Sequence, residues 1–79
     1  SYMVDLRVTA MDRNGLLFEA MAELSNLKVA TTAVNARVTK ENVCIIEISV
    51  VITHGGRLEN VINKLKKISG VFEVTRTNH

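Results

Sequence analysis

The sequence Met-Asp-Arg-Asn-Gly-Leu-Leu, at positions 11–17, marks the place where one hydrophobic period gives way to another. Before it, apolar and polar residues alternate, which indicates a β-strand. After it, apolar residues recur every three or four positions, which indicates an amphipathic helix. A polar turn from Asp12 to Gly15 joins the two elements, and Asp12 or Asn14 is the expected N-cap of the helix. The free backbone N–H groups of such a helix start can bind a small anionic group.

The same two periods continue on both sides of this turn. The first strand is expected to bury alternate residues, namely Tyr2, Val4, Leu6, Val8 and Ala10. The first helix has one apolar face, made by Leu17, Ala20, Met21, Leu24 and Leu27. The second helix repeats that spacing with Leu58, Val61, Ile62, Leu65 and Ile68. Gly70 is placed to end the second helix.

Two further strands are predicted between the helices, and one follows them. Thr32–Thr39 alternates, Lys40–Asn42 has turn chemistry, and Val43–Ile52 is apolar enough for a central strand. Val71–Thr75 forms a short last strand, and Thr77–His79 is expected to fray. The resulting order, βαββαβ, predicts an α+β fold of the ferredoxin-like plait type. In that fold both helices cover one face of a four-stranded antiparallel sheet.

The predicted topology leaves two strands at the edges of the sheet. The first and third strands are central, so the second and fourth strands are edges. The second strand is long and carries little charge at its start, and an unprotected edge of this kind invites pairing with another copy. We therefore expect a homodimer through the second strand. Such association would also support the thin core of a 79-residue chain.

Composition argues against several classes of protein and of site. The net charge is only +2, and Lys64, Lys66 and Lys67 form the only tight basic cluster, which is weak for a dedicated nucleic-acid binder. The presence of a single cysteine, Cys44, excludes an internal disulfide and a multi-cysteine metal site, and it fits a cytoplasmic setting. Cys44 itself is expected to be a small buried hydrophobe. Apolar runs are too short to cross a membrane. No catalytic residue, metal ligand or cofactor site is predicted.

The turn also carries a resemblance to a known family. The sequence Asp-Arg-Asn-Gly-Leu-Leu at positions 12–17, within a βαββαβ order, resembles the Asp-Arg-x-Gly-Leu-Leu turn of ACT domains. The ending Ile68–Arg76 is similar to the final helix and strand of that family. Within it, Val34–Arg37 and Val74–Arg76 resemble the C-terminal ACT domain of RelA/SpoT-type GTP pyrophosphokinases, the stringent-response enzymes that make and hydrolyse (p)ppGpp. The resemblance implies that residues 1–79 are one regulatory domain, a C-terminal fragment whose catalytic domains lie upstream.

The resemblance further implies a ligand site shared between two copies. In ACT domains that bind amino acids, the turn before the first helix of one copy meets the start of the second strand of the other. Mapped onto this sequence, one copy would contribute Asp12, Arg13, Asn14, Gly15 and Leu16, and its partner Val29, Ala30 and Thr31. The Asn often found at the start of that strand is absent here, where Thr31 and Thr32 could supply hydroxyls instead.

Three functional interpretations stay open at this stage. The leading one is a regulatory ACT domain that senses an amino acid or relays contacts between subunits to upstream catalytic domains. The second is a ribosome- or protein-interaction module without a small ligand, in which the basic cluster and Arg57 meet RNA phosphates. The third is the regulatory ACT domain of an amino-acid biosynthetic enzyme. The fragment itself is not expected to be catalytic.

Overall fold

A computed structural model describes residues 1–78 and has the predicted fold. Its elements in chain order are β1 (Tyr2–Met11), α1 (Leu16–Asn26), β2 (Ala30–Val38), β3 (Val43–Ile52), α2 (Gly55–Lys66) and β4 (Val71–Arg76). The four strands form one antiparallel sheet in the order β2-β3-β1-β4, and both helices pack on one face of it. The predicted central strands and edge strands are therefore confirmed.

The core lies between the helices and the sheet and is entirely apolar in the described residues. Alternate residues of β1 and β3 point into it, as predicted, and the buried side chains of those strands are Val4, Leu6, Val8, Ala10, Cys44, Ile46, Ile48, Val50 and Ile52. The predicted burial of Tyr2 is wrong, since this side chain is 43% exposed. The reason is its position: β4 pairs with β1 only from Leu6 onwards, and the hydrogen bonds of Asn78, which follows β4, reach only as far as Met3.

The start of α1 differs from the prediction in two respects. Gly15, with φ of +81° in the left-handed region, is the N-cap, and no side chain caps the helix, so the expected cap by Asp12 or Asn14 is wrong. Because the helix begins at Leu16, that residue is buried, whereas Leu17 is 39% exposed. The buried face therefore starts one residue earlier than the spacing predicts. A left-handed φ favours glycine, because a Cβ would strain the backbone.

Two neighbouring turns hold the end of β1 in place. The Met11 N–H donates to the Gly70 carbonyl in the turn before β4, and the Asp12 N–H donates to the Asn42 carbonyl in the β2–β3 hairpin, both at 2.9 Å. Since α2 already ends at Lys66, Gly70 belongs to the following turn and does not end the helix, contrary to the prediction. The turn at Asp12 thus lies between two others and is tied to both.

Thr77 and Asn78 continue the pairing of β4 along β1. The Thr77 N–H donates to the Asp5 carbonyl at 2.8 Å, and the Asp5 N–H donates to Asn78 Oδ1 at 2.9 Å. The expected fraying is therefore wrong for these two residues, because the Asn78 amide replaces a backbone partner. His79 lies outside the described residues.

The sheet face opposite the helices carries a mosaic of charged and polar side chains. Arg7 and Glu47 lie opposite each other on β1 and β3, with 3.5 Å between Nη2 and Oε1. Ser49 Oγ donates to Asp5 Oδ1 at 2.7 Å. Met3 and Met11 are exposed on this face.

Candidate functional site

A groove of about 410 Å³ lies between the start of α1 and the final residues of β2. One wall is the turn from Asp12 to Gly15 with the first turn of the helix, and the other is Ala36–Val38 of β2. Cys44 contributes from β3, next to Val38 in the sheet. Since Ala36 and Val38 pair with the buried residues of β3, the groove is on the helix side of the sheet.

The turn half of the predicted site is assembled in this groove. All five of its predicted residues line it, namely Asp12, Arg13, Asn14, Gly15 and Leu16. Leu16 is buried beneath the groove, while Asn14 and Gly15 are exposed at its mouth. Within one copy, the turn therefore supplies one wall and part of the floor.

The strand half of the predicted site lies elsewhere in the same copy. Ala30 pairs with Val51 near the start of β1, whereas the turn follows Met11, which pairs with Val43. Eight residues of β3 separate these levels, or roughly 26 Å at about 3.3 Å per residue. Ala30 and Thr31 are exposed there, but Val29 is part of the hydrophobic core.

Arg13 is engaged within its own chain. Its Nε donates to the Ser69 carbonyl at 3.0 Å, and its Nη1 donates to the Asn14 carbonyl at 3.4 Å. Its Nη2 lies 2.8 Å from Glu19 Oε1 in a salt bridge, and the Arg13 side chain is 34% exposed. The guanidinium therefore ties the turn to the helix that follows it and to the turn before β4.

The groove contains one group that suits a negative charge and one that suits a positive charge. The Leu16 N–H donates to the Arg13 carbonyl at 3.3 Å and the Glu19 N–H to the Gly15 carbonyl at 2.9 Å. The N–H groups between them belong to the first helical turn, which has no intrahelical acceptors and carries the positive end of the helix dipole. That end suits a carboxylate, and the Asp12 carboxylate suits an ammonium group.

Cys44 is an inert part of this groove. Burial, with a further contribution from the Asp12 carboxylate, raises the pKa of the Cys44 thiol above its ordinary value of 9.0. The thiol is therefore protonated at neutral pH, and a protonated thiol is a poor nucleophile. This agrees with the prediction that Cys44 is a buried hydrophobe.

Several residues of the groove were not predicted from the sequence. They are Leu17, Phe18, Ala36, Arg37, Val38 and Cys44. Phe18 is 79% exposed on α1, and its place outside the apolar face of that helix was the signal that could have identified it. Arg37 pairs with Ile45, so it belongs to the opposite face of β2 from Ala36 and Val38.

Comparison with protein families identifies the family to which the chain belongs. Residues 1–76 match the family model described as the ACT domain. The chain belongs to the ACT-domain family. The resemblance inferred from the Asp-Arg-Asn-Gly-Leu-Leu turn is thereby confirmed.

Curated relatives of this ACT domain are GTP pyrophosphokinases. The chain is 29% identical over 76 residues to the GTP pyrophosphokinase of Haemophilus influenzae, which covers 95% of the chain and 10% of that protein. It is 32% identical over 77 residues to the GTP pyrophosphokinase of Photobacterium angustum, covering 96% of the chain and 10% of that protein. The ACT domain thus spans about a tenth of the length of these relatives.

Solved structures agree on the fold. The ACT domain of the GTP pyrophosphokinase of Chlorobium tepidum superposes with a TM-score of 0.84 at 20% identity, covering 96% of this chain and 97% of that one. The homoserine dehydrogenase of Thiobacillus denitrificans gives a TM-score of 0.76 at 23% identity, covering 94% of this chain and 16% of that one. At such identities the similarity concerns the fold alone.

Residues 1–78 contain neither a membrane-spanning helix nor a cluster of metal ligands. Neither helix described there combines the length and the hydrophobicity that crossing a bilayer requires. Within the same residues, no three or more His, Cys, Asp or Glu side chains are grouped so that they could hold a metal ion.

Proposed function

We propose that this ACT domain is a regulatory module of a cytoplasmic RelA/SpoT-type GTP pyrophosphokinase. It would bind an amino acid between two copies and relay that occupancy to catalytic domains elsewhere in the parent chain. One observation supports this above all: the family's turn builds one wall of a groove whose other wall, β2, is an uncovered sheet edge. Both curated relatives described above are GTP pyrophosphokinases, which supports the choice of parent.

The exposure of β2 indicates how a second copy would complete the groove. All nine residues of β2 are exposed, including Val34, which points to the helix side of the sheet yet is 42% exposed. Two β2 strands that pair antiparallel about a two-fold axis place the start of one beside the end of the other. Thr31 of one copy then lies near Val38 of its partner, with Val34 close to the axis.

Thr31 has the orientation that this arrangement needs. It pairs with Val50, which is buried under the helices, so the Thr31 side chain shares the helix side of the sheet with the groove. Its hydroxyl could therefore bind the same ligand as the helix start and Asp12. Val29 is occupied in its own core, so the partner's contribution comes from Ala30 and Thr31.

The lining of the groove favours a small zwitterion with an aliphatic side chain. The helix start would take the carboxylate and Asp12 the ammonium group, as argued above. Leu17, Ala36 and Val38 provide apolar walls that would remove an aliphatic side chain from water. A charged side chain would lose hydration against these apolar walls.

An NMR titration with L-valine tests this proposal, with D-valine and L-glutamate as comparators. We expect L-valine at millimolar concentration to shift the backbone amides of residues 12–18, and the comparators to shift them much less. In the Thr31→Arg variant the response should be lost, whereas Thr53→Arg, a matched change at an exposed threonine outside the groove, should preserve it. If no L-amino acid moves these amides, the sensor is refuted.

Ribosome contact is a second candidate, supported by one observation. Lys64, Lys66 and Lys67 are exposed together at the end of α2. Arg57 does not extend this cluster freely, because its guanidinium donates to the Leu27 carbonyl at the end of α1. Salt-sensitive binding to ribosomes that is lost on reversing the charge of the three lysines, in a chain that binds no amino acid, would favour this candidate.

A further inference from the structure

We infer that Arg13 is a positioning residue that latches the turn from Asp12 to Gly15, called the ligand turn below, to the turn before β4. We infer also that Arg13 does not contact the ligand. The identity of the ligand rests on the function proposed above, but the latch itself does not. In this arrangement the Arg13 side chain links the groove to the other side of the sheet.

The direction of the Arg13 side chain is the first argument. β2 and β4 lie at opposite edges of the sheet, with β1 and β3 between them. The groove is on the β2 side of the turn, whereas Arg13 Nε donates to Ser69, which leads into β4. The guanidinium is therefore held towards the edge remote from β2.

The N–H donors of the Arg13 guanidinium are engaged with acceptors of its own chain. Guanidinium presents its N–H groups in a rigid planar fork, so one Arg can hold several acceptors in a fixed relation. Here the acceptors come from three segments: Asn14 in the ligand turn, Glu19 in the first turn of α1, and Ser69 before β4. Three of the five guanidinium N–H groups are thus already engaged within the chain.

Gly70 supplies a third argument, independent of hydrogen bonding by the side chain. Its φ is +95°, and a Cβ at this position would lie 3.4 Å from the Met11 carbonyl oxygen and 3.8 Å from Arg13 Nε. Its carbonyl accepts from the Met11 N–H at 2.9 Å. The turn before β4 therefore approaches the end of β1 closely enough for the two to move together.

Hydrogen exchange in the ligand-free chain tests the latch. We expect Arg13→Ala to raise exchange of the Met11 and Val71 amides about tenfold, because a charge-assisted hydrogen bond and a second, neutral one are lost. Glu19→Gln should raise it by about threefold, since a neutral acceptor remains. Arg7→Ala is the matched control: it removes the other salt bridge found in residues 1–78, that with Glu47, and should leave both amides unchanged.

Titration with L-valine then tests the coupling. In the wild type we expect shifts both at residues 12–18 and at residues 69–71, and in Arg13→Ala only at residues 12–18, with affinity reduced several-fold. Arg13→Lys keeps the charge but not the fork, so it should behave as Arg13→Ala does. Unchanged exchange in Arg13→Ala, or shifts at residues 69–71 that persist in it, would overturn the inference.

The two proposals fail in different ways. If the wild type binds no amino acid, the proposed sensor is wrong, and the exchange experiment still decides whether Arg13 latches the two turns. If Arg13→Ala abolishes binding while exchange of the Met11 and Val71 amides is unchanged, Arg13 is a ligand contact and the latch is wrong.

Discussion

The two edges of the sheet differ in how the chain treats them. β4 is short, carries a bulge against β1, and is followed by Thr77 and Asn78, which extend its pairing. Its Val74 is buried under the helices. β2 is longer, and none of its nine residues is buried, although Val34 and Val38 point to the helix side.

This contrast supports the proposal that a second copy pairs with β2 and not with β4. Natural sheets protect exposed edges with short strands, charges or bulges, as β4 does. β2 has apolar side chains on the helix side, and no element of its own chain covers them. An edge left in this state next to the turn and the groove supports the proposed pairing with a second copy.

Shortening the two edge valines should separate the roles of the edges most strongly. Val74→Ala should lower the free energy of unfolding by about 2 kcal/mol, because a buried side chain loses two carbons from the core. Val34→Ala, on exposed β2, should cost less than about 0.5 kcal/mol in dilute solution. Urea unfolding at low protein concentration measures both, and equal losses would contradict the contrast.

A charge on β2 should weaken self-association without unfolding the chain. Val34→Lys would place two like charges near the two-fold axis, so we expect the dimer to weaken by at least about tenfold. Phe72→Lys is the matched control, because Phe72 is an exposed apolar residue of the other edge. Sedimentation equilibrium gives the association constants. A larger loss of association in Phe72→Lys would place the interface on β4 instead.

Removing the Asn78 amide should expose the start of β1. Asn78→Ala leaves the Asp5 N–H without its acceptor, so we expect a loss of about 1 kcal/mol and faster exchange of the Asp5 amide. Asn35→Ala, a change of the same kind on β2, should have little effect on stability. If exchange at Asp5 does not change, the tail does not protect this part of the edge.

The smallest expected effect is a pH dependence at the base of the groove. Burial raises the pKa of the Cys44 thiol in the folded state. The contribution of the buried thiol to folding stability is therefore fully present below its pKa in the unfolded chain, about 9.0, and is lost as the pH rises through its pKa in the folded chain. Cys44→Ala should therefore lose less stability than the wild type between pH 8 and pH 10, a range chosen to bracket that value. If the urea midpoints of the wild type and of Cys44→Ala change in parallel across this range, the pKa of the Cys44 thiol is the same in the folded and unfolded states.

Hydrophobic period and turn chemistry were sufficient to predict the fold. The alternation in β1 and the apolar run in β3 follow directly from burial on one face, and the spacing in α2 correctly gave Val61, Leu65 and Ile68 as core residues. The predictions were wrong where a local backbone conformation moved the buried positions along the helix. Gly15 caps α1 through its backbone, so Leu16 is buried in place of Leu17.

The candidate site was only partly predictable for a similar reason. The turn from Asp12 to Leu16 is contiguous in sequence, so one motif identifies it. Ala36, Val38 and Cys44 reach the groove through strand pairing, whose register the sequence does not specify residue by residue. The engagement of Arg13 with Ser69 spans 56 positions and depends on the close approach at Gly70, which no local pattern indicates.

A mixing experiment tests most directly whether two copies form one site. Asp12→Ala damages the turn half and Thr31→Arg the strand half, so neither variant should bind L-valine alone. Mixed one to one, they should recover roughly a quarter of the wild-type sites, because half of the dimers are mixed and each of these has one intact site. Calorimetry on the mixture gives this stoichiometry. No recovery, from variants that are folded and exchange subunits, would contradict a site shared between copies.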